Sequence, residues 1–364
     1  ELSGEEFNIA SPIQLSEILF SENKLALPTV GIKKTKKGYS TAANELDKLR
    51  SKSPIINLIS EYREVVKLKN TYIDTLPKQV DSSSRVHTTY SLTTAQTGRL
   101  SSLDPNLQNI PTRTELGRNI RSAFVSDPGK VFVNADYAQF EFRLAAVLSE
   151  DKELIEMFND DVDIYTMTAS QIYERSPEDI TKQMRDAAKT INLGILYGLS
   201  PHGLSNSTGM SYEQSRAFID KYKEIRKPLF SYMENLLVKT REQGYAETLF
   251  GRRRYFPDIK SNNFILRQAA ERAAINMPIQ GTESDLMKMA MIELDKSLKN
   301  LNNNCKILLQ VHDSVLVECP KEVAKEVSKI VRDCLENVYD LPIKLKVEVK
   351  IGDKFQQGAL LGYV

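Results

Sequence analysis

The chain has 364 residues, of which 41% are hydrophobic and 27% charged, and its formal net charge at pH 7 is +1. These values fit a globular protein of two or three subdomains. They exclude a membrane protein, because the sequence contains neither an apolar run of about 18 residues nor a signal pattern. The three cysteines lack CxxC spacing, which argues against a disulfide framework or a zinc site. We therefore expect an intracellular protein of the cytoplasm or nucleoid, or of an organelle if the chain is a fragment.

The start of the chain is predicted to be mainly helical. Ser11 and Pro12 are the N-cap and first-turn signals of a short helix. An exposed basic loop is predicted for Lys33–Ser40. Apolar residues recur at helical spacing in Ala42–Leu76, with one break near a proline, which predicts a helical hairpin or arm. The serine-rich stretch Pro77–Ser84 is the best candidate for a domain boundary.

Strands are predicted in two distant parts of the chain. The turn-rich stretch Val86–Val133 leads into a strand at Lys130–Asn134. Helical patterns fill Phe140–Tyr245 and Asn263–Leu301, separated by the irregular basic segment Leu249–Ile259. Neither the middle strands nor the last strands make a viable sheet alone. They must therefore meet in one sheet, with the helical part as an insertion.

The segment Lys306–Pro320 predicts a tight β-hairpin with a carboxylate at its tip. Two apolar runs flank His312, Asp313 and Ser314, and a helix and a last strand, Leu345–Ile351, follow. A carboxylate at the rim of a buried sheet has little solvent to stabilise its charge and often attracts a cation. The alternative is a turn aspartate bonded only by neighbouring backbone amides.

A second carboxylate occupies a similar position upstream. The segment Lys130–Ala146 predicts a buried strand that delivers Asp136, followed directly by a helix. If Asp136 and Asp313 meet at one sheet edge, they could hold two divalent ions roughly 3.5 to 4 Å apart, as in phosphoryl transfer. The spacing of the two residues alone leaves that convergence open.

The segment Arg185–Gly198 predicts a helix with a nucleotide-like face. Arg185, Lys189, Leu193 and Tyr197 recur every four residues and would share that face. Two cations, an apolar side chain and an aromatic ring would match a nucleoside triphosphate laid along the helix. The alternative is an amphipathic surface helix.

Together, the motifs DYAQFEFR, RDAAKTINLGILYG and VHDS resemble the A, B and C motifs of family A DNA polymerases, the bacterial polymerase I type. The segments KLKNTYIDTLP, TAQTGRLSSLDPNLQNIPTR, GRRRYFPDI and NMPIQGTESDLMK agree. The resemblance runs from about Phe7 to Phe355. It implies an α+β right-hand polymerase fold, with an antiparallel sheet in the palm and helical fingers and thumb. Residues 1–85 would be the thumb, 86–150 and 266–364 the palm, and 151–265 the fingers.

The resemblance implies a template-directed DNA polymerase that extends a primer 3′-hydroxyl with deoxynucleoside triphosphates. Asp136 and Asp313, with the backbone carbonyl of Tyr137, would hold two Mg²⁺ ions, and Lys189 would be the third catalytic residue. Primer-template DNA and nucleotides would be the partners of a monomer without membrane contact. The family's upstream exonuclease domains are missing from this chain, so we expect no proofreading from it.

The resemblance also implies two sets of binding residues. Glu141 would act as a steric gate that closes against Tyr197 and excludes a ribose 2′-hydroxyl. The nucleotide-binding set is Arg185, Lys189, Leu193, Tyr197, Gln139, Glu141 and Tyr165. The DNA-binding set is Arg99, Gln280, His312, Asn276, Arg272, Arg113, Lys69 and Thr71.

Three positions depart from the family pattern. Leu193 stands where an aromatic residue is usual, which predicts altered discrimination among sugar-modified nucleotides. Ser314 stands where a second carboxylate often follows the hairpin aspartate, which predicts weaker metal binding. Tyr165 replaces a common histidine with a neutral hydroxyl.

The rival functions are a single-subunit RNA polymerase and a catalytically silent module that binds DNA. A single-subunit RNA polymerase would need a small residue in place of Glu141. A catalytically silent module that binds duplex DNA would not need Asp136 and Asp313 together with Arg185 and Lys189.

Overall fold

A computed structural model describes residues 1–112, 114–301 and 304–355. The chain divides into two compact units, Glu1–His87 and Thr88–Val364. None of the helices in these described ranges combines the length and the apolar character that a membrane span requires.

The first unit is mainly helical, as the sequence predicts. Its apolar core is built from leucine and isoleucine side chains of the three α-helices, among them Leu15, Leu46 and Ile56. The predicted loop at Lys33–Ser40 instead contains a short hairpin, because Thr35 and Gly38 pair across its turn. The elements are α1 (Pro12–Phe20), β1 (Lys34–Thr35), β2 (Gly38–Tyr39), α2 (Ala43–Asp47), α3 (Ile55–Leu68), a π-helix (Lys69–Ile73) and a 3₁₀ helix (Leu76–Lys78).

The second unit is organised around one antiparallel sheet. The strands of this unit are β3 (Thr89–Ser91), β4 (Ser101–Leu103), β5 (Lys130–Tyr137), β6 (Tyr245–Glu247), β7 (Arg253–Tyr255), β8 (Lys306–Val311), β9 (Ser314–Pro320) and β10 (Val347–Gly352). The sheet has the spatial order β10-β5-β9-β8. It therefore combines a strand from the middle of the chain with three from the end, which confirms the prediction. The remaining strands form two small hairpins, β3–β4 and β6–β7. The segment expected to be irregular thus contains strand β7.

The described part of the second unit also contains α-helices. They are α4 (Glu115–Ser122), α5 (Phe140–Leu148), α6 (Lys152–Asn159), α7 (Ile164–Tyr173), α8 (Lys182–Gly194), α9 (Pro201–Thr208), α10 (Tyr212–Ile225), α11 (Lys227–Gln243), α12 (Phe264–Asn300) and α13 (Ala324–Glu336). Helix α13 packs on β5, β9 and β10, and α12 packs on α13 and α5. Val133, Ala135, Val315 and Val317 are fully buried beneath them. The apolar strands are therefore fixed, and their polar ends lie at a defined edge.

Candidate active site

Asp136 and Asp313 meet at one edge of the sheet. Asp136 is the next-to-last residue of β5, and Asp313 lies in the two-residue turn between β8 and β9. The backbone N–H of Tyr137 donates to the carbonyl oxygen of Asp313 at 3.2 Å. His312 opens the turn in the left-handed region, with φ 57°. The two carboxyl groups are close enough to interact with each other, so the structure brings together the pair that the sequence left open.

The surroundings of Asp136 favour its neutral form. The pKa of Asp136 is raised to about 7. The causes are desolvation, then the neighbouring carboxylate of Asp313, then the charge of Glu348, while the positive charge of Lys350 lowers the pKa. Asp136 is nevertheless solvent-exposed, so its neighbouring carboxylates raise its pKa more than desolvation does. Among the described residues, no side chain forms an ion pair with either aspartate. Adjacent carboxylates without a paired cation are a ligand set suited to a hard divalent ion.

Among the described residues, Asp136 and Asp313 supply the side chains of the candidate metal site. Within the described ranges, no group of three or more His, Cys, Asp or Glu side chains is arranged to hold a metal. Tyr137, whose carbonyl is the further expected ligand, is held firmly. Its hydroxyl donates to the carbonyl of Leu335 at 2.6 Å, and its ring stacks on Phe140 with centroids 3.9 Å apart. The strand end that carries Asp136 is therefore fixed by packing on its buried side.

Arg185 and Lys189 lie one turn apart on α8, which begins at the N-cap Thr181. Both cations approach the buried ring of Tyr165, at 5.3 and 5.9 Å from its centroid. Arg185 Nε also donates to Asp163 Oδ2 at 2.7 Å. The ring of Tyr165 thus makes cation–π contacts with both side chains, a role that its position in the sequence did not suggest.

Tyr197 leaves the helix that carries the other members of the predicted face. Helix α8 ends at Gly194, and a 3₁₀ turn closed by Gly198 in the left-handed region carries Tyr197. The prediction of one continuous helical face is therefore wrong at its last member. Leu193 and Tyr197 are similarly exposed, at 44% and 45%. The Tyr197 hydroxyl donates to Glu141 Oε2, so the expected contact between these two residues is present.

Arg99 lies between two carboxylates. Its Nη2 donates to Glu141 Oε1 at 2.5 Å and to the two oxygens of Glu283 at 2.9 and 2.7 Å. Burial raises the pKa of Glu283 to about 8. The positive charge of Arg99 lowers this pKa, and the negative charge of Glu141 raises it. Arg99 and Glu141, predicted for DNA and for nucleotide respectively, therefore belong to one network.

Three predicted DNA contacts share one line on α12. Arg272, Asn276 and Gln280 recur every four residues, a spacing that puts side chains on one helix face. The stem of Arg272 lies against Gly198, where an added Cβ would come within 2.8 Å of Arg272 Cδ. His312 is exposed at the hairpin turn.

The remaining predicted residues are Gln139, Lys69, Thr71 and Arg113. Gln139 precedes α5 in the left-handed region, with φ 56°. Lys69 and Thr71 are exposed on the π-helix of the first unit, where Lys69 Nζ lies 2.5 Å from Asp74 Oδ2. Arg113 lies outside the described residues.

The sequence interpretation missed Glu283 and the role of Asp163. Glu283 follows Asn276 by seven residues and Gln280 by three, so helical spacing places it on their face. An acidic residue there, in a run that is otherwise mostly apolar or small, was the available signal. Asp163 caps α7, accepting from the Tyr165 N–H at 3.2 Å, and its pairing with Arg185 spans two helices.

Comparison with known proteins places the chain in a family. The model of "DNA polymerase family A" matches residues 1–357. "DNA polymerase I, thermostable" of Thermus thermophilus is 47% identical over 353 residues, covering 97% of this chain and 42% of that protein. "DNA polymerase I" of Bacillus subtilis is 45% identical over 354 residues, covering 97% and 40%. The chain thus spans about two fifths of the length of these relatives.

A solved structure has the same fold. The "POL domain of Pol1 from M. smegmatis complex with DNA primer-template and dNTP" matches with a TM-score of 0.90 and 40% identity, over 97% of this chain and 62% of that one. This match confirms the predicted polymerase fold. With the family model covering nearly the whole sequence, it follows that the chain belongs to DNA polymerase family A.

Proposed function

We propose that this chain is a template-directed DNA polymerase that adds deoxynucleotides to a primer 3′-hydroxyl. The pair of adjacent carboxylates, Asp136 and Asp313, is the observation that carries the proposal, because neither is neutralised by a cation of the described residues. Family membership and the DNA and dNTP named for the related M. smegmatis domain support it.

Asp136 and Asp313, with the backbone carbonyl of Tyr137, are the residues that would hold two Mg²⁺ ions. Bound magnesium would lower the pKa of the 3′-hydroxyl and stabilise the charge of the leaving pyrophosphate. The donor set fits, since all ligands are oxygens and two adjacent carboxylates carry negative charge that a divalent cation offsets. In the reaction, the 3′-oxygen loses its proton and bonds to the α-phosphorus. The bond from that phosphorus to the bridging oxygen breaks, and pyrophosphate leaves.

The cations of α8 would bind the triphosphate. Arg185 offers a forked guanidinium for two phosphate oxygens, while Lys189 offers a point charge and a proton for pyrophosphate. Leu193 and Tyr197 would face the base and sugar, and Glu141 would exclude a 2′-hydroxyl. Gln139 and Tyr165 are the remaining members of the proposed nucleotide-binding set.

Side chains in each of the two units are proposed to contact DNA. Arg99, Gln280 and His312 would approach the minor-groove edge at the primer terminus, where correct pairs present similar acceptors. Asn276, Arg272 and Arg113 would make further template or nucleotide contacts. Lys69 and Thr71 would grip the duplex backbone.

The subdomain assignment is part of the same proposal. Residues 1–85 form the thumb, 86–150 and 266–364 the palm, and 151–265 the fingers, which would close over a correct pair. The first compact unit, Glu1–His87, supports the thumb boundary. We also propose a monomer and an intracellular location, in the cytoplasm or nucleoid or in an organelle, where a DNA substrate is present.

Primer extension tests the proposal. Asp136→Asn and Asp313→Asn should each lower the extension rate by at least about a hundredfold at equal Mg²⁺, because each removes a metal-binding charge. Asp340→Asn, a change at an exposed aspartate of the same unit, should leave the rate unchanged. Extension by Asp313→Asn as fast as by the parent would refute the mechanism.

The same assay separates the rival functions. A parent protein that binds a labelled primer–template but extends it with no nucleotide would be the silent binding module. Extension with ribonucleotides alone would identify an RNA polymerase.

A further inference from the structure

Glu283 is a buried acidic residue for which the proposed mechanism has no use. It lies on α12 and is 1% exposed. Both of its carboxylate oxygens accept from Arg99 Nη2, at 2.9 and 2.7 Å. Moving a carboxylate out of water costs free energy. Even when the buried carboxylate is paired with a cation, an apolar residue of similar size often stabilises the fold equally well. A role in holding Arg99 would explain why an acidic residue stands there.

The contacts of Arg99 continue to the nucleotide side of the site. The same Nη2 donates to Glu141 Oε1 at 2.5 Å, and the Tyr197 hydroxyl donates to Glu141 Oε2. Both oxygens of Glu141 are thus occupied by donors from different elements. Arg99 Nε is buried without a hydrogen-bond partner among the described residues. Within the described ranges, the hydrogen bonds of the guanidinium are thus those of Nη2 to the two carboxylates.

Helix α12 provides a rigid base for this arrangement. Lys288 Nζ donates to the carbonyl of Gly98, next to Arg99. At Gly281, an added Cβ would come within 3.3 Å of the Thr97 carbonyl oxygen and 2.3 Å of Thr248 Cγ2. The backbone before Arg99 is therefore packed closely on α12, and Glu283 extends that contact to the Arg99 side chain.

We propose that Glu283 is a positioning residue for nucleotide selection, fixing Arg99 and, through Arg99, the carboxylate of Glu141. This inference rests on the proposed polymerase function. A Glu141 carboxylate held from both sides presents a rigid wall to the sugar of the incoming nucleotide. Without Glu283, Arg99 loses its anchor, and Glu141 can turn away to admit a 2′-hydroxyl.

Selectivity measurements test this role. The efficiency kcat/KM is measured for dCTP and CTP on one primer–template, with the parent, Glu283→Gln and Glu283→Met. The dCTP preference should fall roughly tenfold in both variants, because a small misplacement of a positioned group has effects of this size or larger. Glu293→Gln, which alters an exposed glutamate of the same helix, should keep the parent preference.

A double variant separates positioning from a purely structural role. If Glu283 acts through Arg99, adding Glu283→Gln to Arg99→Leu should change the dCTP preference no further. Additive effects would overturn the inference. So would a lowered melting temperature of Glu283→Gln together with an unchanged preference.

A readout without catalysis distinguishes this inference from the proposed function. In ¹⁵N spectra of the arginine side chains, Arg99 should show hindered rotation in the parent, with its signals assigned through Arg99→Leu. Glu283→Gln should remove that hindrance, and unchanged signals would overturn the inference whatever the activity. A parent that extends no primer would refute the proposed function, and with it the selection role, even if Arg99 is released as expected.

Discussion

Asp136 lies directly opposite Ser314 in the antiparallel register of β5 and β9. Residues opposed in this way project from the same face of a sheet, so the Ser314 side chain stands beside the aspartate pair. Its hydroxyl donates to the carbonyl of Val311 at 2.9 Å. The position at which the family often has a second carboxylate is thus occupied by a neutral group bonded to its own hairpin.

A carboxylate at this position should strengthen binding of divalent ions. We expect Ser314→Glu to lower the Mg²⁺ concentration for half-maximal primer extension by roughly three- to tenfold, a difference of about 0.6 to 1.4 kcal/mol. Extension rates across a Mg²⁺ titration measure this. Ser314→Gln has the same length without the charge and should leave the midpoint near the parent value. Equal midpoints for the Glu and Gln variants would contradict the prediction.

Leu193 should influence discrimination against modified sugars. Leu193→Phe adds an aromatic ring at a 44% exposed position, and its extra stacking on the incoming base should change the ratio of dideoxy- to deoxynucleotide incorporation about two- to tenfold. Competitive incorporation on one template gives this ratio. Leu249→Phe makes the same change at an equally exposed leucine and serves as control. Identical ratios for Leu193→Phe and the parent would remove Leu193 from the nucleotide site.

Asp163 should compete with the triphosphate for Arg185. Their ion pair at 2.7 Å is partly exposed, so it contributes little, and Asp163→Asn should lower the KM for dNTP by up to about fivefold. Asparagine can still cap α7. Asp186→Asn removes a neighbouring charge without the direct contact and should have a smaller effect. A KM that rises in Asp163→Asn would mean that Asp163 orients Arg185 for binding.

Glu283 should make the stability of the protein depend on pH. Its folded-state pKa is raised from 4.5 to about 8, chiefly by burial, with Arg99, Glu141 and Asp313 as the charged groups around it. The folded state therefore binds this proton more tightly than the unfolded state, so stability falls as pH rises between these values. Urea unfolding at pH 5 and at pH 8 measures this effect. From the lower to the higher pH, the free energy of unfolding of the parent should fall more than that of Glu283→Gln. Parallel stability curves for the two proteins would contradict the prediction.

The sheet and its aspartates could be predicted because their signals are local. The apolar runs on both sides of Asp313 define a hairpin by themselves, and β5 is marked by three consecutive apolar residues, 131–133, shortly before Asp136. That these strands share one sheet followed from the need of each set for partners.

The network around Arg99 could not be predicted in the same way. Its contacts join Arg99 to Glu141 and Glu283 across 42 and 184 residues of sequence, and no local pattern reports such a distance. Tyr197 was misplaced for a different reason. A spacing of four residues predicts a shared face only while the helix remains α-helical, and here the glycines at 194 and 198 allow a tighter turn.

The order of strands in the sheet has a consequence for synthesis of the chain. Strand β5 is complete at Tyr137, but its neighbours β9 and β10 begin only at Ser314 and Val347. At typical translation speeds, the ribosome needs roughly ten to forty seconds to make the intervening residues. During that time, an apolar strand with two open edges waits without its partners, so a nascent chain arrested before β9 should depend on chaperones to avoid aggregation.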